Sequence, residues 1–351
     1  MERTFKIFEA IVDEYIRTGE PVSSNAVRGK LGFPVSSATI RNEMASLEAR
    51  GYLDHPHTSA GRIPTVKGYR FYIERMMSDS PGALSENEKE EIDRFFRNIG
   101  NGDDEVIIES ASHALAELTN CAIVSTNMTA RFSVITKVEL IPTGRRVYVL
   151  LLITSEGNIK NRVCRLSFDL TAEQMEFFTE FLNQNLSGLN IGNISEEYID
   201  GLAAALGSYM MTLSPLLKAV AELSKELSEK RVLLKGETNL IAREELHKNE
   251  IISLLESRNE FSELLDTAFS GINVMLGKEK DTFVIENSSI ITGSFKKDGN
   301  QAGSFGVIGP MRLDYKKIIP YIEYFADKVT NMLSISDAEE HINKEDEKGG
   351  G

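Results

Sequence analysis

The spacing of apolar residues changes period along this chain, and that change limits the fold more than any single motif. Phe5, Phe8, Ile11, Val12, Tyr15 and Ile16 recur every three to four positions, as on an amphipathic helix. From Phe132 to Phe168 the stretches FSVITKVELI, RRVYVLLLIT and IKNRVCRLSF alternate apolar with polar residues around turn signals at PTG and SEGN, which predicts a three-stranded meander. Helical spacing returns from Thr171 to about Leu234, and more helix is expected from Arg243 to Phe269. Strands resume in INVMLG, TFVIEN, SSIITGSF and GSFGVIGPM before a last helix, DYKKIIPYIEYFADKVTNML. Strands, helices and strands again predict a sheet domain interrupted by a helical insertion, and 351 residues leave room for two or three domains.

The first 77 residues have their own grammar. Gly19 ends the first helix, and after GEPV either Ser23 or Ser24 caps a short second helix through Leu31, which GFPVSS breaks. Ser36 or Ser37 then caps a third helix, ATIRNEMASLEAR, stopped by Gly51. Next comes YLDHPHTSAGRIPT, two short extended pieces around a turn, followed by the helix GYRFYIERMM. This is the order of a winged helix-turn-helix. Beyond Met77, SDSPGALSENEKEE reads as a linker into a helix with the Ser85–Glu88 capping-box spacing, and the tail from Ser336 to Gly351 is expected to be disordered.

Charge sharpens the division. The whole chain carries 39 basic against 53 acidic side chains, net −14, which disfavours a polyanionic partner. Arg28 to Met77, however, carries 8 basic and 4 acidic residues, so nucleic acid fits only at this end. Two cysteines, Cys121 and Cys164, are too few for a disulfide framework or a four-ligand zinc site, and a reducing, cytoplasmic setting is expected. No apolar run approaches the roughly 20 residues of a membrane span, and no membrane partner is expected.

Within the third helix Ile40, Met44 and Leu47 share one face and are expected to pack inward. The opposite face presents Ala38, Asn42, Ala45 and Ala49, flanked by Thr39, Arg41 and Ser46, with Ser37 at the start. A surface helix is ordinarily filled with Glu and Lys, whereas approach to base edges needs short side chains around a few readers. Asn42 has the donor and acceptor to pair with adenine, and the Ala38 methyl suits a thymine methyl. Arg62, just after Gly61, is placed for a minor groove or a phosphate, and Lys67 for a phosphate; the ordinary alternative for Arg62 is a pair with a carboxylate. His55 and His57 flank a proline without further ligands nearby, so no metal is expected. GNQAGSFGVIGP lacks both dinucleotide and P-loop spacing, no Ser, His and acid set is apparent, and neither catalysis nor a cofactor is expected.

GEPVSS, SSATIRNEM and LEARGYLDHPHTSAGRIPTVKGYRFY resemble the DNA-binding domain of the heat-inducible transcription repressor family HrcA, and GVIGPMRLDY resembles that family's late signature. The resemblance spans nearly the whole chain. Ser23 stands where the family usually has Gly, and Met311 and Leu313 where Thr and Met are usual. The resemblance implies a multidomain α+β protein with an N-terminal winged helix-turn-helix, a GAF-like α/β domain and an inserted, largely helical dimerisation domain. It implies a repressor of heat-shock chaperone operons that binds an inverted-repeat operator in double-stranded DNA as a homodimer, is released on heat stress and depends on a GroE-type chaperonin.

The expected boundaries are 1–77 for the winged helix, 78–104 for the linker and connecting helix, 105–169 and 241–335 for the GAF-like domain, 170–240 for the insertion and 336–351 for the tail. Leu216, Val220, Leu223 and Leu227 form an apolar stripe expected to make the two-fold contact, with packing on the chain's own sheet as the alternative. A different class of function, a regulator sensing a small molecule through its GAF-like domain, requires a polar-lined cavity between the sheet and its helices.

Overall fold

A computed structural model describes residues 2–57, 61–79, 82–97, 99, 104–128, 133–155, 157–207, 213–256, 265, 271–277 and 286–348. The chain begins with α1 (Glu2–Thr18), α2 (Ser24–Arg28), α3 (Ser37–Ala49), the short strands β1 (Leu53–Asp54) and β2 (Ile63–Pro64), and α4 (Val66–Ser78). It continues through α5 (Glu86–Arg97), α6 (Asp104–Thr119), β3 (Ala122–Asn127), β4 (Ile135–Gly144), β5 (Val147–Thr154), β6 (Ile159–Arg165), α7 (Ala172–Leu186), a single 3₁₀ turn, α8 (Glu196–Leu206) and α9 (Ser214–Ser228). Then follow β7 (Arg231–Lys235), α10 (Glu237–Ile241), α11 (Lys248–Glu256), β8 (Asn273–Leu276), β9 (Ser288–Lys297), β10 (Asn300–Pro310) and α12 (Tyr315–Lys348). The class is mixed helix and sheet.

Two compact units result: Met1–Thr126 with Val232–Gly351, and Asn127–Arg231. In the first, the N-terminal helices close over Ile7, Phe8, Ile11, Val12, Val27, Ile40 and Leu47, each almost fully buried. The larger part of this unit is a five-stranded sheet in the order β7-β3-β10-β9-β8. Ile107, Ile108 and Leu115 of α6, Phe295 of β9, Phe305 of β10, and Ile319, Ile322, Phe325 and Val329 of α12 are all buried. The glycine run reads as sheet: the β9–β10 register shifts between Gln301 and Gly303, and a Cβ on Gly303 would lie 2.1 Å from the Thr126 carbonyl oxygen, so only glycine admits the neighbouring strand. Ser85 caps α5, its side-chain Oγ accepting from the Glu88 N–H at 3.4 Å and its backbone N–H donating to Glu88 Oε2 at 2.9 Å.

The second unit departs from the expected boundaries. The antiparallel meander β4-β5-β6 joins α7, α8 and α9 there and does not join the five-stranded sheet. The cause is a shared core: Val138, Leu150, Leu152 and Cys164 on the inward face of the meander pack with Phe178, Leu182 and Leu186 of α7 and with α9. Asn183 fixes α7 to β4, accepting from the Val138 N–H at 2.9 Å and donating to the Val138 carbonyl at 2.8 Å. Leu216, Val220 and Leu223 are fully buried in this core and Leu227 is 5% exposed, so the stripe packs on its own sheet and is not a two-fold contact surface.

Three further elements differ from the sequence expectation. RVLLK is strand β7 and not the end of a helix. Positive φ angles at Gly188 and Gly207 break the expected long helical block. α12 continues to Lys348, since SDAEEHINKEDEK contains no Gly or Pro and is rich in good helix formers. Of the expected strand TFVIEN, residues 282–285 lie outside the described residues, and Glu286 and Asn287 form a turn.

Candidate nucleic-acid interface

The candidate interface is built around α3. Ser36 caps it, accepting from the Thr39 N–H at 3.1 Å. Ile40, Met44 and Leu47 point into the core, which leaves Ala38, Arg41, Asn42, Ala45, Ser46 and Ala49 exposed and Ser37 and Thr39 half-buried. Ser37 Oγ donates to Asn25 Oδ1 at 2.8 Å and Arg41 Nε to Ser24 Oγ at 3.3 Å, so α2 sets the orientation of α3.

Both carboxylates of α3 are engaged. Glu43 accepts from Arg3 Nη2 at 3.0 Å, a bond that holds its carboxyl below the usual range. Glu48 accepts from Arg62 Nε at 2.7 Å and lies 2.6 Å from His55 Nδ1. The outward face therefore presents a guanidinium, an amide, a hydroxyl and three methyl groups with its acidic charge tied off to the side, a surface to which a phosphate backbone can approach.

Beside α3, β1 pairs antiparallel with β2, Leu53 opposite Pro64 and Asp54 opposite Ile63. Arg62 exchanges two backbone hydrogen bonds of 2.9 Å with Val22. A Cβ on Gly61 would lie 2.5 Å from the Pro21 carbonyl oxygen, so this crossing requires glycine. Thr58, Ser59 and Ala60, the expected tip of the wing, lie outside the described residues. Arg62 and Lys67, expected on the DNA backbone, turn back onto the protein: Arg62 pairs with Glu48, and Lys67 Nζ donates to the Arg50 carbonyl at 2.9 Å while sitting 4.9 Å from the centre of the Tyr52 ring. A lysine there meets the free carbonyls at the C-terminus of α3. Among the described residues no group of three His, Cys, Asp or Glu is placed to hold a metal ion.

The profile described as the HrcA protein C terminal domain matches residues 105–319, more than half of the chain. The chain belongs to the HrcA family. The N-terminal part shares in the HrcA relationship too. The heat-inducible transcription repressor HrcA of Acetivibrio thermocellus is 32% identical over 337 residues, 93% of this chain and 95% of the relative. That of Carboxydothermus hydrogenoformans is 32% identical over 95% of this chain and 98% of its own length. A crystal structure described as that of a hypothetical protein superposes with a TM-score of 0.65 at 28% identity, covering 96% of this chain and 99% of the other. No helix among the described residues of this HrcA-family chain is long and apolar enough to cross a membrane.

Proposed function

We propose that the chain is a heat-inducible transcription repressor whose residues 2–78 act as a winged helix-turn-helix, with Ala38, Arg41, Asn42 and Ser46 facing the major groove. The observation that carries this is the outward face of α3: short side chains, one amide, one guanidinium and no unpaired carboxylate. Ser37 and Thr39 serve the same end from within, fixing the start of the helix. Family membership supports chaperone operons as targets, an inverted-repeat operator, release on heating and a GroE-type chaperonin as partner. It likewise supports a GAF-like reading of the five-stranded sheet and a binding protein in place of an enzyme.

A dimer would match an inverted repeat. The surface that suits it is the outward face of the meander, where Ile141, Val149 and Val163 form one cross-strand row and Ile153 and Ile159 another. Ile141, Ile159 and Val163 are 40%, 59% and 61% exposed, an apolar patch that a second copy would cover. The experiment is titration of the full chain on DNA from upstream of chaperone operons at growth and heat-stress temperatures. Tight, sequence-dependent binding lost on heating supports the reading; equal affinity for random DNA overturns it.

A further inference from the structure

The late signature GVIGPMRLDY takes no part in the reading face, and its position gives it another role. It leads from β10 into α12 beside the C-terminal half of α1. Lys316 donates to Glu9 Oε1 and Asp13 Oδ2 of α1 at 2.8 Å each, and the fully buried Tyr315 ring lies 6.1 Å from that of Tyr69. Arg312 pairs with Glu245 and brings its guanidinium to the end of α1, 3.5 Å from the Ile16 carbonyl oxygen.

An open cavity of about 590 Å³ lies here, in the size range of small-ligand sites. Its wall carries five cations, Arg17, Arg243, Arg312, Lys316 and Lys317, and two carboxylates, Asp13 and Asp314; beside it Glu14 takes both donors of the Arg17 fork at 3.0 and 2.8 Å, Glu245 pairs with Arg312 and Glu9 with Lys316. Both carboxylates of the wall are engaged: Asp13 accepts from Lys316 and from the Tyr72 hydroxyl at 2.6 Å, and Asp314 accepts from the Lys317 N–H at 3.2 Å. Two of the cations make no contact ion pair with a carboxylate among the described residues, although the charge of Arg243 reaches Glu245 and that of Lys317 reaches Glu88. Arg243 Nη2 donates only to the Asn120 carbonyl at 3.0 Å, and the Lys317 ammonium lies 5.3 Å from the centre of the Tyr321 ring. Ile16, Leu118 and Ile318 supply apolar wall between the charges.

We propose that this cavity binds a small phosphorylated molecule, its phosphate oxygens held by Arg243 and Lys317 with the guanidinium groups of Arg17 and Arg312 alongside. Guanidinium forks match tetrahedral oxyanions, and the Arg243 fork beside the Lys317 ammonium on a concave wall suits a phosphate group. The site lies outside the interior of the sheet domain, between the C-terminal half of α1, the end of α6 and the segment that leads from β10 into α12. A ligand touching Arg17 on α1 and Arg243 and Lys317 on the sheet side bridges the two and stabilises their docked arrangement.

The test is calorimetric titration and thermal melting of the full chain, without DNA, with sodium pyrophosphate and with adenosine 5′-diphosphate in separate arms, and with sodium sulfate at matched ionic strength as control. The expected result is saturable one-to-one binding with a rise in melting temperature. Tighter binding of the nucleotide indicates that the apolar wall holds an organic part, and tighter binding of pyrophosphate indicates a site for phosphate alone. R243A/K317A should weaken binding at least tenfold, with the melting temperature of the unliganded protein and its operator affinity unchanged. Absence of saturable binding in both arms, an equal effect of sulfate, or unchanged binding by the double variant overturns the proposal. So does a double variant that instead weakens all DNA binding, which would make these cations DNA contacts. Since the titration contains no DNA, its failure leaves the repressor reading intact.

Discussion

Arg62 Nε donates to Glu48 Oε2 at 2.7 Å, and this bond joins the residue that leads into β2 to the helix whose outward face is proposed to meet DNA. Its consequence is double: it braces α3 against the strand pair, and it neutralises one of the two carboxylates of α3.

Arg62→Ala should therefore lower operator affinity through the freed Glu48 carboxylate as well as through the lost brace. Glu48→Gln in that background should recover part of the affinity. The pair is partly exposed, and a double-mutant cycle on unfolding should give a coupling of about 0.5 to 1 kcal/mol. An Arg62 variant that loses affinity on all DNA equally, with no rescue by Glu48→Gln, would return Arg62 to the role of a backbone contact.

Leu223 and Leu227 lie in the core beneath the meander, so their replacement by Asp should unfold this unit and not yield folded monomers. Even Leu223→Ala should cost about 2 to 5 kcal/mol. Ile159→Asp with Val163→Asp, on the exposed face of the same meander, should leave the fold intact and give monomers. Sedimentation and circular dichroism of the two double variants distinguish the surfaces; folded monomers from the Leu223 and Leu227 pair would contradict the assignment.

Burial pushes the Cys121 thiol up to about 11. At pH 8 only about one such thiol in a thousand is ionised, and the thiolate is the reactive form. Native Cys121 should react with iodoacetamide at least about a hundredfold more slowly than an ordinary exposed cysteine, and at the ordinary rate once unfolded. Equal native and unfolded rates would contradict its placement.

Locally encoded features were legible in the sequence. Ser36 as a cap, Ile40, Met44 and Leu47 as an inward face and the Ser85–Glu88 capping box each depend on residues a turn or less apart. What escaped depends on distant partners. RVLLK continues the apolar run of the preceding helix and becomes a strand only because β3 lies beside it. α6 carries only a weak apolar period, because much of its buried face is alanine and serine. The engagement of Glu43 by Arg3, 40 positions away, carries no periodic signal. The outward face of the meander was visible as alternation, yet nothing local showed which of its faces the helices would cover.

Asn42 carries the central claim, because it is the exposed amide at the middle of the α3 face. The decisive measurement is fluorescence anisotropy of wild type and Asn42→Ala on the operator and on a set of operators altered one base pair at a time. The expected result is a loss of about 1 to 3 kcal/mol on the operator, with discrimination relaxed at one base pair and the thermal midpoint unchanged. Equal affinity and an identical base-preference profile in the two proteins would contradict the claim that this face reads the operator.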